Sequence, residues 1–308
     1  MSVTIIKKRS EYLDYILEGL NDDVRIIDVQ TKESLIWRAM HLVFNGHSED
    51  PSRFLLSYIS WKTYRQLRKI TNDNVLLMGA IDFRLSNIIC RLLPRSVRIH
   101  SWNWNPMGTK ERNRLEREVE YSKSKGRHLS VFNPLDAIEY GLEFVNQVYR
   151  FSDTVDKPVT KHDCYWLGAG KGRTEIIEYT RKILERNGIE CNFKVISRKS
   201  DFISYRQNLH LLQESKCLVD FTNPDNQGLS LRVMEALFFK KKLISNNSFI
   251  LECDFYNPDD FFILGHDDES RLTNFIDSPY TSIPDDILIR YDINSWIKQF
   301  PLQLQLRK

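Results

Sequence analysis

The sequence predicts an α/β protein built as two doubly wound domains that face each other across a cleft. Three observations lead there. A length of 308 residues accommodates two medium domains. Short runs rich in β-branched residues alternate with helical patterns, and this alternation favours mainly parallel sheets covered by helices. The alternation also occurs as two series, with a polar stretch between them.

In the first series the candidate strands are VRIIDV (24–29), NVLLMGAI (74–81), SVRIHSW (96–102) and HLSVF (128–132). Helical patterns lie between them at 33–44, 60–70, 84–93 and 109–124. The stretch YRFSDTVDKPVTKH (149–162) has no periodicity and contains a proline, so it reads as a linker. The second series runs DCYWLG (163–168), a helix at 173–188 ended by Gly188, CNFKVI (191–196) and a helix at 204–214. It continues with KCLVDF (216–221), a helix at 229–239, KLISN (242–246) and FFIL (261–264). A last helix over 293–304 is interrupted by Pro301. The expected domains are 1–155 and 156–290, with a C-terminal helix at 291–308 that returns to the first domain.

Composition excludes several classes. No run approaches the roughly 18 apolar residues of a membrane span. Acids interrupt the apolar residues of the first twenty positions, which therefore do not read as a signal peptide. The five cysteines are scattered without CxxC spacing and read as reduced thiols of a cytoplasmic protein, not as zinc ligands. Residues 53–127 hold 16 basic and 6 acidic side chains. That excess fits either a solvated surface or a face for an anionic partner. No nucleic-acid motif accompanies it, so nucleic acid is not expected as a partner.

Ligands of doubly wound domains sit at the carboxyl ends of strands, near helix N-termini. Two loops of the second series qualify. LGAGKGRT (167–174) is neither a dinucleotide fingerprint, because Arg173 stands where glycine is needed, nor a P-loop, because Tyr165 does. Gly170 and Gly172 let backbone approach an anion, and Lys171 and Arg173 add charge at a helix start. A flexible turn with solvated cations is the plainer alternative. The second loop, DFTNPDNQGLS, turns through Pro224 and Gly228 into a helix whose free amides can bind phosphate. Glu235 lies too deep in that helix to cap it. It can accept hydrogen bonds from vicinal hydroxyls such as those of a ribose, or it can pair with Arg232 or Lys241. Lys240–Lys242 complement the helix C-terminus, with solvation as their expected role.

The run QGLSLRVMEAL followed by KKKLIS, together with GAGKGR, resembles GT-B glycosyltransferases of the retaining, family-4-like type. In that family a glutamate, a glycine, a helix and a second glutamate grip the donor. The resemblance implies a GT-B-like fold of two Rossmann-like domains. It implies that Arg173 and Lys171 hold a diphosphate and that Gly228, Leu229 and Ser230 offer backbone around phosphates and sugar. It implies that Glu235 takes the ribose. Gln227 departs from the pattern: it can hydrogen-bond a sugar hydroxyl but cannot act as an anion. SWNWNPM (101–107) and VFNPLDAIEYG (131–141) are similar to segments of bacterial surface-polysaccharide transferases. The whole chain resembles enterobacterial lipopolysaccharide core transferases, the core rhamnosyltransferase among them.

A transferase needs a group that helps deprotonate the acceptor hydroxyl. Asp82 is the first candidate, beside His100 and Asp136. Asp82 and Asp136 can equally cap the helices that follow them, and His100 can be a packed histidine. Trp102 and Trp104 share one face and suit either stacking on a sugar or core packing. The expectation is a glycosyltransferase of hexosyl or deoxyhexosyl type, at the inner face of the bacterial inner membrane. It moves a sugar from a nucleotide-diphosphate sugar to an anionic glycolipid such as lipopolysaccharide core, and it needs no cofactor and no metal. The alternatives are a GT-B-fold sugar-nucleotide epimerase and an inactive polysaccharide- or lipid-binding scaffold.

Overall fold

The computed structural model describes residues 3–21, 24–31, 58–71, 74–79, 83–105, 116, 119–120, 122–124, 126–152, 159–170, 172–223 and 226–300. The expected helix at 33–44, most of that at 109–124, and residues Asp82, Lys171 and Pro224 lie outside them.

The first domain begins with β1 (Val3–Lys8), α1 (Glu11–Leu17), β2 (Val24–Val29), α2 (Trp61–Arg68) and β3 (Asn74–Met78). It continues with α3 (Phe83–Leu92), β4 (Arg98–Asn103), β5 (His128–Val131), α4 (Pro134–Tyr140) and the short β6 (Glu143–Phe144). Among the described residues these strands form one parallel sheet in the order β2-β1-β3-β4-β5-β6. β3 is buried along its whole length, as a central strand covered on both faces must be.

β1, which is not among the strands expected from the sequence, lies beside β3 near the middle of the sheet. Its second half, Lys7–Lys8, breaks the apolar run. The structure accommodates this by burying Lys7 between two carboxylates, Asp14 of α1 and Asp28 of β2. Burial of a lysine is tolerated when it is paired in this way.

The second domain runs β7 (His162–Ala169), α5 (Thr174–Arg186), β8 (Cys191–Ile196), α6 (Tyr205–Gln213), β9 (Ser215–Asp220), α7 (Leu231–Phe238), β10 (Lys242–Ser245) and β11 (Phe261–Ile263). Its strands pair in parallel in the order β11-β10-β9-β7-β8. Ser204 caps α6 reciprocally with Gln207, an arrangement that stabilises a helix start by about 1 kcal/mol. The chain is thus an α/β protein of two Rossmann-like domains.

The expected linker is not wholly a linker. Tyr149 is fully buried, its amide donates to the Tyr291 carbonyl, and its own carbonyl accepts from Ile293. Of the expected helix over 293–304, the described part is a single turn, α8 (Ile293–Trp296), followed by a 3-10 turn at Ile297–Gln299, and residues 301–304 lie outside the described residues. Trp296 packs edge-on against Trp102 of β4, with centroids 4.7 Å apart, and its Nε1 donates to the Asn146 carbonyl at 2.7 Å. One apolar cluster joins the two domains, with Ile5, Leu76 and Trp102 on one side and Leu218, Leu237 and Leu243 on the other.

Candidate functional site

The carboxyl ends of the two sheets meet where the segment after β5 touches the loop after β9. Gly228 lies against Phe132. A Cβ on Gly228 would fall 2.4 and 2.7 Å from the Phe132 ring and 2.9 Å from its carbonyl oxygen. Glycine at 228 is therefore a requirement of close domain contact.

The loop itself is held by side-chain amides. The Gln227 amide donates to Asn133 Oδ1 (3.2 Å) and the Gly228 amide to Asn226 Oδ1 (3.0 Å). The carbonyls of Gln227 and Gly228 accept from Asn247 Nδ2 (3.4 and 3.2 Å), and that of Leu229 accepts from Gln147 Nε2 (3.2 Å). Among the described residues the Gln227 side chain carries no hydrogen bond, and it is half-buried.

α7 starts at Leu231, not Leu229, because Ser230 is its N-cap. Ser230 Oγ accepts from the amides of Arg232 (3.1 Å) and Val233 (3.4 Å) and donates to Asp220 Oδ1 (2.8 Å). Two amides of the first turn are thus already paired. Leu229 is fully buried, so only its backbone can serve the loop.

Glu235 is 2% exposed. It pairs with Arg232 Nη1 at 2.8 Å and accepts from Tyr205 Oη (2.9 Å) and Asn208 Nδ2 (3.4 Å). Burial pushes its carboxyl above the usual range, against the pull of Arg232. In this arrangement both of its oxygens face protein partners, which corrects the expectation of a carboxylate open to a ribose. The pairing with Arg232 was the other reading open from the sequence. Lys241 and Lys242 are also not solvated. Lys241 Nζ donates to the carbonyls of Gln213 (2.7 Å) and Ser215 (2.6 Å), and Lys242 to Phe275 O and Ser278 Oγ.

The glycine turn after β7 is closed by the Arg173 amide donating to the Gly170 carbonyl at 2.6 Å, with Gly172 at φ +79°. The Arg173 guanidinium folds back across the strand ends. Nη2 donates to Ala169 O (2.6 Å) and Nη1 to Phe221 O (2.7 Å), while Nε is buried and has no partner among the described residues. Burial lowers its pKa, partly offset by Asp220. Arg232 reaches the same edge, donating to Leu167 O at 3.2 Å. Two guanidinium groups and the buried Asp220 therefore share the carboxyl ends of β7 and β9.

The acceptor-side candidates separate. His100 is 2% exposed, sits 3.0 Å from Ser130 Oγ and stacks on His128; burial, then His128, lowers its pKa to about 3. It is a neutral core histidine, which corrects its candidacy as a base. Trp102 is 1% exposed and donates to Val145 O, so it is core and not a sugar platform. Trp104 is half-buried and packs on Trp102 and Tyr12, with both pairs of centroids at 5.2 Å. Asp136 is buried in the first turn of α4, where the N-cap is Asn133. Asp82 lies outside the described residues.

Asn133, Gln147, Asn247 and Asp220 join the site without having been candidates from the sequence. Asn133 is visible as an Asn-Pro helix start, but its partner is 94 positions away. On the far edge of the first sheet, α2 exposes Trp61 (54%), with the Arg65 guanidinium 5.5 Å over its ring and Tyr64 stacked 5.0 Å away. Lys62, Lys69 and Arg25 line the same surface groove.

No protein-family model and no curated protein matches the chain. Among solved structures, the crystal structure of accessory secretory protein 1, 2 and 3 in Streptococcus pneumoniae is similar at a TM-score of 0.40 and 10% identity. The match covers 79% of this chain and 53% of that one, so the chain spans about half its length.

Proposed function

We propose that the protein is a glycosyltransferase that binds a nucleotide-diphosphate sugar between its two sheets and transfers the sugar to an anionic glycolipid, as in lipopolysaccharide core or another surface polysaccharide. The observation that carries this reading is the meeting of both sets of strand ends at residues 226–230, beside the glycine turn and Arg173. In doubly wound domains this is where ligands bind. An anionic diphosphate would answer the unpartnered Nε of Arg173 and lie near the positive end of α5. A leaving diphosphate held by guanidinium and helix N–H groups is stabilised as its charge develops. Gln227, whose side chain carries no hydrogen bond among the described residues, would bond a sugar hydroxyl as a neutral partner. Deoxyhexosyl, including rhamnosyl, transfer belongs to this proposal.

A second reading is a binding scaffold without turnover. The occupation of Glu235 by Arg232, Tyr205 and Asn208 favours it. A thermal-shift screen of UDP-, dTDP-, GDP- and ADP-sugars separates the two. A ligand at 100 times its Kd adds roughly 2.7 kcal/mol of stability. Stabilisation by one nucleotide family, followed by sugar transfer to a glycolipid, is the expected result. Absence of any stabilisation would leave the scaffold reading.

A further inference from the structure

The hydrogen bonds around residues 226–230 have an uneven design. Of the six backbone N–H and C=O groups of residues 227–229, five, Gln227 N, Gln227 O, Gly228 N, Gly228 O and Leu229 O, are each met by a carboxamide. Two of the four carboxamides, Asn226 and Asn247, belong to the second domain itself. The other two, Asn133 and Gln147, come from the first domain and are buried to 0% and 1% exposure. Asn133 is the N-cap of α4, yet its side chain makes no capping bond there. Asparagine at that position ordinarily serves its own helix. Here its oxygen reaches across the domain boundary.

We propose that Asn133 and Gln147 are positioning residues: carboxamides of the first domain that fix the Gln227–Leu229 backbone of the second, and with it the side chain of Gln227. The two act in opposite senses. Asn133 accepts a hydrogen bond from the loop, whereas Gln147 donates one to it. The loop facing the sugar is then set by both domains at once, in the absence of ligand. Its role toward a sugar rests on the glycosyltransferase reading above; the clamp itself does not.

Opposite senses permit a test that packing alone would fail. A carboxylate accepts but does not donate. Asn133→Asp therefore keeps its bond to Gln227, while Gln147→Glu, of equal size, loses its bond to Leu229. Deuterium exchange of the ligand-free full chain, followed by mass spectrometry of peptides across 222–230, reads the result. Gln147→Glu and Asn133→Ala are expected to speed exchange in this loop about three- to tenfold, as the loss of one net hydrogen bond implies. Asn133→Asp is expected to retain the parent rate, and peptides from Cys191–Ile196 should be unchanged in all. Gln147→Met, which lacks a donor but carries no charge, replaces Gln147→Glu if the buried carboxylate prevents folding. Parent-like exchange in both Asn133→Ala and the Gln147 variant would overturn the proposal, as would equal acceleration by Asn133→Asp and Asn133→Ala. Failure of the parent to bind any nucleotide would overturn the glycosyltransferase reading alone, because the exchange result is obtained without ligand.

Discussion

Glu235 is buried and Arg232 keeps only 11% of its side chain exposed, and each depends on the other. Removing one partner of such a pair costs about 3–5 kcal/mol, because the remaining charge stays buried and unpaired. Glu235→Gln is expected at the lower end, near 3 kcal/mol, since glutamine still accepts from Tyr205. Urea unfolding measures it, and the double variant Glu235→Leu with Arg232→Met should lie closer to the parent than Glu235→Gln does. Asp260 offers a separate test. It is fully buried, its Oδ2 has no partner among the described residues, and burial pushes its carboxyl from 3.8 to about 6. A carboxyl raised in the folded state contributes stability below about pH 4 that is lost as pH rises through about 6. A tenfold change in proton affinity corresponds to about 1.4 kcal/mol. Asp260→Asn should keep the acceptor for Thr281, gain stability at pH 7 and flatten the decline between pH 4 and 6. An unchanged pH profile would refute the assignment. At this scale the sequence was partly legible. Arg232 lies three positions from Glu235, one helical turn, and was readable as its partner. Tyr205 and Asn208 are 30 and 27 positions away and left no signal.

Among the elements, the loop before α7 is the one most constrained by its surroundings. Gly228→Ala places a methyl group into the Phe132 ring, and overpacking of this kind costs about 1–3 kcal/mol. Phe132→Leu in the same chain should return part of that loss, because the two residues touch and their effects are not additive. A double-mutant cycle by thermal unfolding reads the coupling; strictly additive losses would mean that the loop relaxes elsewhere. The alternation of strands and helices was legible because each apolar run is short and each helix has a periodic face. β1 was not, because Lys7 looks like a surface residue until Asp14 and Asp28 surround it. The start of α7 was misplaced by two residues because Ser230, not Gly228, is the cap.

For the whole molecule, the cluster shared by both sheets predicts cooperative behaviour. Calorimetry should show one unfolding transition rather than two, and the separated transitions of independent domains would contradict this. If the acceptor is the anionic glycolipid proposed above, the basic groove on α2 would be a surface that meets it. Each basic group near an anionic membrane contributes about 1 kcal/mol, screened by salt. Co-sedimentation with anionic vesicles should fall on raising salt and fall further in Lys62→Ala with Arg65→Ala; equal binding to neutral vesicles would refute it. The two-domain layout followed from the order of elements along the chain, whereas the contacts between domains did not. Residue pairs such as Gln147 and Leu229, 82 positions apart, carry no local pattern.

Trp296 has a consequence for how the protein is made. Its indole covers Trp102 and bonds Asn146, both residues of the first domain, yet it leaves the ribosome after the entire second domain has been synthesised. The first sheet can pair its strands early, but one face of β4 stays uncovered until then. Maturation of the first domain is therefore not a co-translational event that ends near residue 155. A ribosome stalled between the two domains would present an unfinished apolar surface, the kind that chaperones recognise.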